Sequence, residues 1–171
     1  MSSTRTRIAA HVRDNPGVHF NELVRTTDFA PGQVQYHLRR LIGEETVAAE
    51  ELYGRTHYFP PTFDDWERGT LALVRRETAR DVIGYLLEHG PTDPTTVADG
   101  VGVARSTLEW HLDHLVEQDV ARKERDSRNR VTLVLVDPEA TAELLAAVSP
   151  SLPDRFVDRF TRLVDDLLSP E

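Results

Sequence analysis

Cysteine is absent from all 171 residues. That excludes disulfides, thiolate zinc sites and cysteine redox sensing. Lysine is almost absent: Lys123 is the single one, and the other 19 basic residues are arginine. Aromatics make up only 7% of the chain and form no stacking run on strand-like segments, which argues against an RNA or single-strand binder. No apolar run approaches the ~18 residues that a membrane span needs. Met1-Ser2-Ser3-Thr4-Arg5 leads into no signal-like apolar block. The expectation is a soluble, cytoplasmic protein without a membrane partner. There is no Gly-rich phosphate loop, no metalloprotease histidine pair and no convincing Ser/His/Asp grouping. We therefore expect no enzyme activity, no cofactor and no metal site.

What the chain does carry is acid. Asp and Glu number 29 against 20 Lys and Arg, for a formal net charge of −9. The charge is uneven: residues 1–61 balance to 0, 62–77 sum to −1, and 78–137 and 138–171 each sum to −4. An acid-rich, Lys-poor, Cys-free composition is the pattern associated with salt-loving archaea. A GC-rich genome, which favours Arg and Ala codons, is the alternative source. The length suits two domains of about 60 residues, near the lower limit for an independent core.

The chain repeats itself. Val34-Gln35-Tyr36-His37-Leu38-Arg39-Arg40-Leu41-Ile42 returns 74 positions later as Leu108-Glu109-Trp110-His111-Leu112-Asp113-His114-Leu115-Val116. In the first copy a helix is expected from about Thr4 to Arg13, stopped by Asn15-Pro16-Gly17. Val18-His19-Phe20 reads as extended, Asn21 to Thr27 as a second helix and Asp28-Phe29 as a turn. Pro31 suits the first turn of a third helix that runs to Gly43. Val34, Leu38, Leu41 and Ile42 mark its inner face. Val47 to Leu52 and His57 to Phe59 read as strands around Tyr53-Gly54-Arg55-Thr56. The second copy matches part for part: helices over Asp81 to Glu88, Thr95 to Asp99 and Arg105 to Val116, then strands over Arg122 to Arg125 and Val131 to Val136. This order of parts is a winged helix-turn-helix, met twice.

The expected fold class is mainly α with small β wings: two tandem winged helix-turn-helix domains plus a linker helix and C-terminal helices. Domain one spans 1–61, a linker 62–77, domain two 78–137 and a helical tail 138–171. The linker reads as a helix from Asp64 to Arg76, continuous with the next helix or separate from it. The tail holds a helix over Pro138 to Val148 and another over Pro153 to Leu168. The last helix has a sharp apolar stripe, Phe156, Val157, Phe160, Leu163, Val164, Leu167 and Leu168, which must bury against something. Packing within the chain and a homodimer are its two roles.

The inner stripe of each third helix fixes what faces outward. The first presents Gln33, Tyr36, Arg39 and Arg40; Gln can pair with adenine, and Arg with guanine or phosphate. The second presents Ser106, Thr107, Trp110, Asp113 and His114, with Arg105 at the tip. Asp113, where the first copy has Arg39, makes the second copy less suited to groove insertion. Its wing compensates with Arg122, Lys123, Arg125, Arg128 and Arg130, and Arg55 sits on the first wing. The candidate DNA-binding set is thus Gln33, Tyr36, Arg39, Arg40, Arg55, Arg105, Ser106, Thr107, Trp110, His114, Arg125, Arg128 and Arg130. Tyr36 and Trp110 fit either sugar-phosphate packing or cover for their own domain's edge. His37 and His111 read as half-buried rings bonded to backbone carbonyls. Metal binding by His111 and His114 is weakly supported, with no third ligand in view. Ala30 and Ala104 are poor N-caps, which leaves either a site for a phosphate or a frayed helix start.

Phe20-Asn21-Glu22-Leu23 followed by Val34 to Leu41 resembles the core of archaeal winged-helix regulators of the ArsR-like and MarR-like types. Ser106-Thr107-Leu108-Glu109-Trp110-His111-Leu112 resembles it again. The whole chain is similar to tandem winged-helix transcriptional regulators found in haloarchaea. The resemblance implies sequence-specific binding of double-stranded DNA and control of transcription. The alternative is a winged-helix protein-interaction module without direct DNA contact, a role that the net charge favours. A ligand-gated regulator with a pocket between the domains is neither indicated nor forbidden.

Overall fold

The computed structural model describes residues 3–148. The expected helix over Pro153 to Leu168, with its dimerisation role, lies outside them. The chain divides into two compact units, Met1–Ala72 and Leu73–Glu171. Both are mainly helical, with small antiparallel sheets.

The first unit opens with α1 (Thr4–Asp14), whose first turn is capped by the Ser3 hydroxyl accepting from the Thr6 N–H. Ile8 and Val12 are its buried positions. Asn15 ends the helix, and β1 (Val18–His19) follows after the turn at Pro16-Gly17. Helix α2 (Phe20–Thr27) starts one residue before the expected Asn21, because the His19 Nδ1 accepts from the Glu22 N–H at 3.3 Å. An imidazole is an uncommon cap, which is why the sequence alone points to the Asn. Asp28, at φ 59, turns the chain toward α3 (Pro31–Gly43). Val34, Leu38 and Leu41 are buried there, with Ile8, Val12, Val18, Leu23 and Val47 in one core. Burying a side chain of this size is worth about 1.5–3 kcal/mol. Ile42 does not join them: at 37% exposure it lies at the edge of the stripe.

Strands β2 (Ala48–Leu52) and β3 (Arg55–Phe59) form a hairpin in which Leu52 pairs with Arg55. The turn is therefore two residues, not the expected four. Tyr53 (φ 52) and Gly54 (φ 83) both lie in the left-handed region, as the twist-matched type I′ turn requires. β1 adds a third strand through Val18↔Tyr58 and His19↔His57. The buried His57 ties this sheet to the loop before it, its Nδ1 lying 2.7 Å from the Gly17 carbonyl. A carbonyl only accepts, so this nitrogen carries the proton.

Helix α4 (Asp65–Val74) contains the point of division between the units. It is not continuous with α5 (Glu77–His89): the chain breaks at Arg75-Arg76, and Arg76 takes the N-cap position of α5.

In the second unit α5 buries Ala79, Val82, Ile83, Leu86 and Leu87. Helix α6 (Pro94–Val101) is capped by Asp93, which accepts from the Thr96 N–H and hydroxyl at 2.9 and 2.6 Å. These bonds hold its carboxyl below the usual range. The helix extends past the expected Asp99 and ends at Gly102, φ 79. A Cβ on Gly100 would collide with the Tyr85 ring, so this glycine permits close approach of α5 and α6. Helix α7 (Arg105–Glu117) buries Leu108, Leu112 and Leu115. Strands β4 (Ala121–Arg125) and β5 (Val131–Leu135) follow as a hairpin. Thr92 bonds in both directions to Leu133, N–H to carbonyl at 3.2 and 2.8 Å, and so takes the place that β1 holds in the first unit. Helix α8 (Pro138–Ala147), capped by Asp137, buries Ala142, Leu144 and Leu145.

The joints of the two units correspond. Asp28 and Gly102 occupy the left-handed region 74 residues apart, and so do Glu45 and Asp119.

Candidate nucleic-acid interface

In the first unit, burial of Val34, Leu38 and Leu41 turns Gln33, Tyr36, Arg39 and Arg40 outward, and all four are exposed. Arg40 folds back one turn. Its Nη1 donates to the Tyr36 hydroxyl at 2.9 Å, and its guanidinium lies 5.8 Å from the ring centre. Tyr36 stays 55% exposed. The pair presents a flat aromatic ring with a cation fixed on it. Arg39 carries no hydrogen bond or ion pair among the described residues. The Gln33 carbonyl lies 3.4 Å from the Ala30 N–H, a long contact that compensates in part for the missing Ala30 cap.

Beside this helix lies an open groove of about 670 Å³. Its walls are the start of α2 (Phe20, Asn21, Arg25), Gln35 of α3, and Arg55, Thr56 and Tyr58 of the hairpin, with His19 at one end. The side chains of Arg25 and Arg55 are exposed and unpaired among the described residues. Burial raises the Tyr58 phenol above its ordinary value, so it stays a neutral donor. Of the residues lining this groove, the candidate DNA-binding set includes Arg55 and does not include Asn21, Arg25 or Gln35. The α2 apolar pattern, Leu23 and Val24, already sends Asn21 and Arg25 to the opposite face; Gln35 lies on α3.

The second unit places its candidates on the matching elements. Arg105, Ser106 and Thr107 are exposed at the start of α7, and Ala104 gives that helix no side-chain cap. Trp110 is 51% exposed. The rings of His111 and His114 meet it edge-on at 4.8 and 4.5 Å, and the Arg76 guanidinium lies over it at 5.8 Å.

The cations here are differently disposed. Arg105 donates through Nε and Nη2 to the Glu109 Oε1 at 3.2 and 3.1 Å, and through Nη1 to the Thr95 hydroxyl at 3.0 Å. Lys123 donates to the other oxygen of Glu109 at 2.8 Å. Arg122 pairs with Glu124, Arg130 pairs with Asp126, and Arg125 donates to the Asn129 side chain at 3.2 Å. Bonds from the Arg130 backbone and side chain, with one from the Arg128 backbone, keep the Asp126 carboxyl below its usual range. Among the cations of this hairpin, Arg128 alone has a side chain without a partner among the described residues. The basic cluster expected to compensate for Asp113 is thus largely neutralised in place.

The expected carbonyl bonds of His37 and His111 are not found. The Nδ1 atoms of both rings are buried without a hydrogen-bond partner, and each ring packs instead on its aromatic neighbour, Tyr36 or Trp110. In mid-helix the neighbouring carbonyls are committed to the helix itself, so a ring at the edge of the stripe meets side chains. Among the described residues no group of three His, Cys, Asp or Glu could hold a metal ion. None of their helices is long and apolar enough to cross a membrane.

A family model described as an N-terminal HTH domain, a helix-turn-helix, matches residues 2–71. That stretch holds α1 to α3, the β2–β3 hairpin and most of α4. The chain is also 25% identical over 131 residues to an uncharacterized HTH-type transcriptional regulator of Methanocaldococcus jannaschii. The alignment covers 77% of this chain but 33% of the relative, so the chain spans about a third of that protein's length.

Proposed function

We propose that this chain is a transcriptional regulator that binds double-stranded DNA sequence-specifically. The first unit leads, with α3 in the major groove and the β2–β3 wing on flanking backbone. One observation carries the reading: the open groove between α2, α3 and the hairpin, walled by the unpaired Arg25 and Arg55 and bordered by the outward face of α3. Gln33 and Arg39 would read base edges. Arg25, Arg55 and the Tyr36–Arg40 pair would meet the backbone. The helix-turn-helix match to residues 2–71 and the printed name of the archaeal relative support it.

The second unit is, on this reading, another winged helix, and the chain a tandem. The order α5, α6, α7, β4, β5 and the one-residue bridge at Thr92 support that. The acid-rich, lysine-poor composition supports a salt-adapted archaeal source, and a cytoplasmic location and dimerisation through the Phe156–Leu168 stripe belong to the same proposal.

The test is a shift assay of the full chain against genomic fragments in molar KCl, with footprinting of the bound sites. Arg39→Ala and Gln33→Ala should each weaken specific binding by roughly 5–150-fold, the value of a good base contact at about 1–3 kcal/mol. Glu139→Gln, on α8, should leave it unchanged. No preference for any fragment, or equal effects of all three changes, would reject the reading. The second reading, a docking module without DNA contact, is favoured by the carboxylate pairing of the second unit's cations. It would be supported by failure of every fragment to bind.

A further inference from the structure

The two third helices differ at one position in a way that changes the whole face. Gln35 of α3 and Glu109 of α7 stand 74 residues apart in the same place of the repeat. Gln35 is neutral and lines the open groove. Glu109 instead bridges two elements. One oxygen takes both Nε and Nη2 of Arg105 at the start of its own helix, and the other takes the Lys123 ammonium of β4 at 2.8 Å. We propose that Glu109 is an internal stand-in for a nucleic-acid phosphate, an autoinhibitory clamp that withholds Arg105 and Lys123 from a duplex. This deepens the proposed function and rests on it, since it explains which unit engages DNA.

The chemistry of the contact favours this role. A phosphate that bridges a helix start and the base of a wing would offer two anionic oxygens to two cations. The Glu109 carboxylate already does so, with good hydrogen-bond distances on both oxygens. The two cations also hold its carboxyl below the usual range, Lys123 foremost, so ordinary pH changes do not release them. All three side chains are partly exposed, at 50, 35 and 31% for Arg105, Glu109 and Lys123. A competing polyanion could reach them, and the clamp is a matter of accessible charge rather than of core stability. Among the described residues the first unit has no such bridge: Pro31 stands 74 residues before Arg105, and Glu50 holds in β2 the third position that Lys123 holds in β4.

The experiment measures duplex affinity of the full chain across a salt series, for the natural sequence, Glu109→Gln and Glu117→Gln. Glu117 is exposed on the same helix and holds no cation, so its variant matches the charge change alone. Each cation that reaches a phosphate adds about 0.9 to the slope of log affinity against log salt. Glu109→Gln should therefore steepen the slope by about 1.8 relative to Glu117→Gln and raise low-salt affinity at least tenfold. Equal slopes for the two variants overturn the clamp. A loss of affinity in Glu109→Gln alone also overturns it, and would mean that the carboxylate contacts a base. If no protein binds duplex, the proposed function fails, and heparin chromatography still decides the clamp. Elution of Glu109→Gln at higher salt than Glu117→Gln upholds it, and co-elution overturns it.

Discussion

At the scale of single residues, His111 shows how the second unit couples to acidity. Burial lowers its pKa, helped by the charges of Arg76 and His114, and its Nδ1 has no partner to compensate. The folded state therefore binds the proton less readily than the unfolded chain does. The unfolded state holds more protons around the ordinary value of 6.5, so stability rises with pH there. The contribution is complete above about pH 6.5 and is lost as pH falls below it. Urea midpoints measured from pH 7.5 to 5 should decline for the natural sequence, and His111→Leu should flatten the part of that decline due to this ring. Superimposable pH profiles would show that the ring titrates as it does in the unfolded chain. Other residue-level features gave no sequence signal. The Glu109–Lys123 pair joins positions 14 apart across a turn, and no local pattern reports such a bridge. A count of basic residues in the β4–β5 segment sees five cations; only their geometry shows that most are already engaged.

Elements were far more legible. Pro16-Gly17, Pro31 and the apolar spacing of Val34, Leu38 and Leu41 mark helix ends and faces by backbone chemistry that acts locally. The expected and observed α3 coincide at Pro31–Gly43. What escaped were features set by partners elsewhere in the chain. Thr92 becomes a bridge only because Leu133 lies opposite, and the Asn21–Arg25 wall becomes a groove only because the hairpin stands across from it. The hairpin also yields a prediction. Gly54 sits at φ 83 with open space around its Cα, so an alanine there meets no clash and pays only the left-handed backbone penalty. Gly54→Ala should lower stability by about 1–2 kcal/mol, read from urea denaturation. On the proposed reading it should also weaken DNA binding without altering which sequence is preferred. An unchanged midpoint would mean that the turn relaxes to another type at no cost.

For the whole molecule the governing fact is 29 acidic against 20 basic groups. Such an excess repels itself in the compact state, and salt shortens the reach of that repulsion to roughly 3 Å at 1 M. The thermal midpoint of the full chain should therefore climb between 0.1 and 2 M KCl. A midpoint that stays level or falls would show that local ion pairs, such as Arg130–Asp126, outweigh the long-range field. The division between Ala72 and Leu73 falls inside the segment 62–77. The sequence places a linker at 62–77, whereas α4 starts in one unit and ends in the other. A helical segment gives no compositional break at such a point.

The left-handed joints at Asp28 and Gly102, and at Glu45 and Asp119, recur 74 residues apart with different side chains. A scaffold specified by main-chain shape leaves its outer helix faces free to diverge. On the proposed reading, one unit can then specialise as a reader while the other keeps its charges to itself, each on its own unaltered turns.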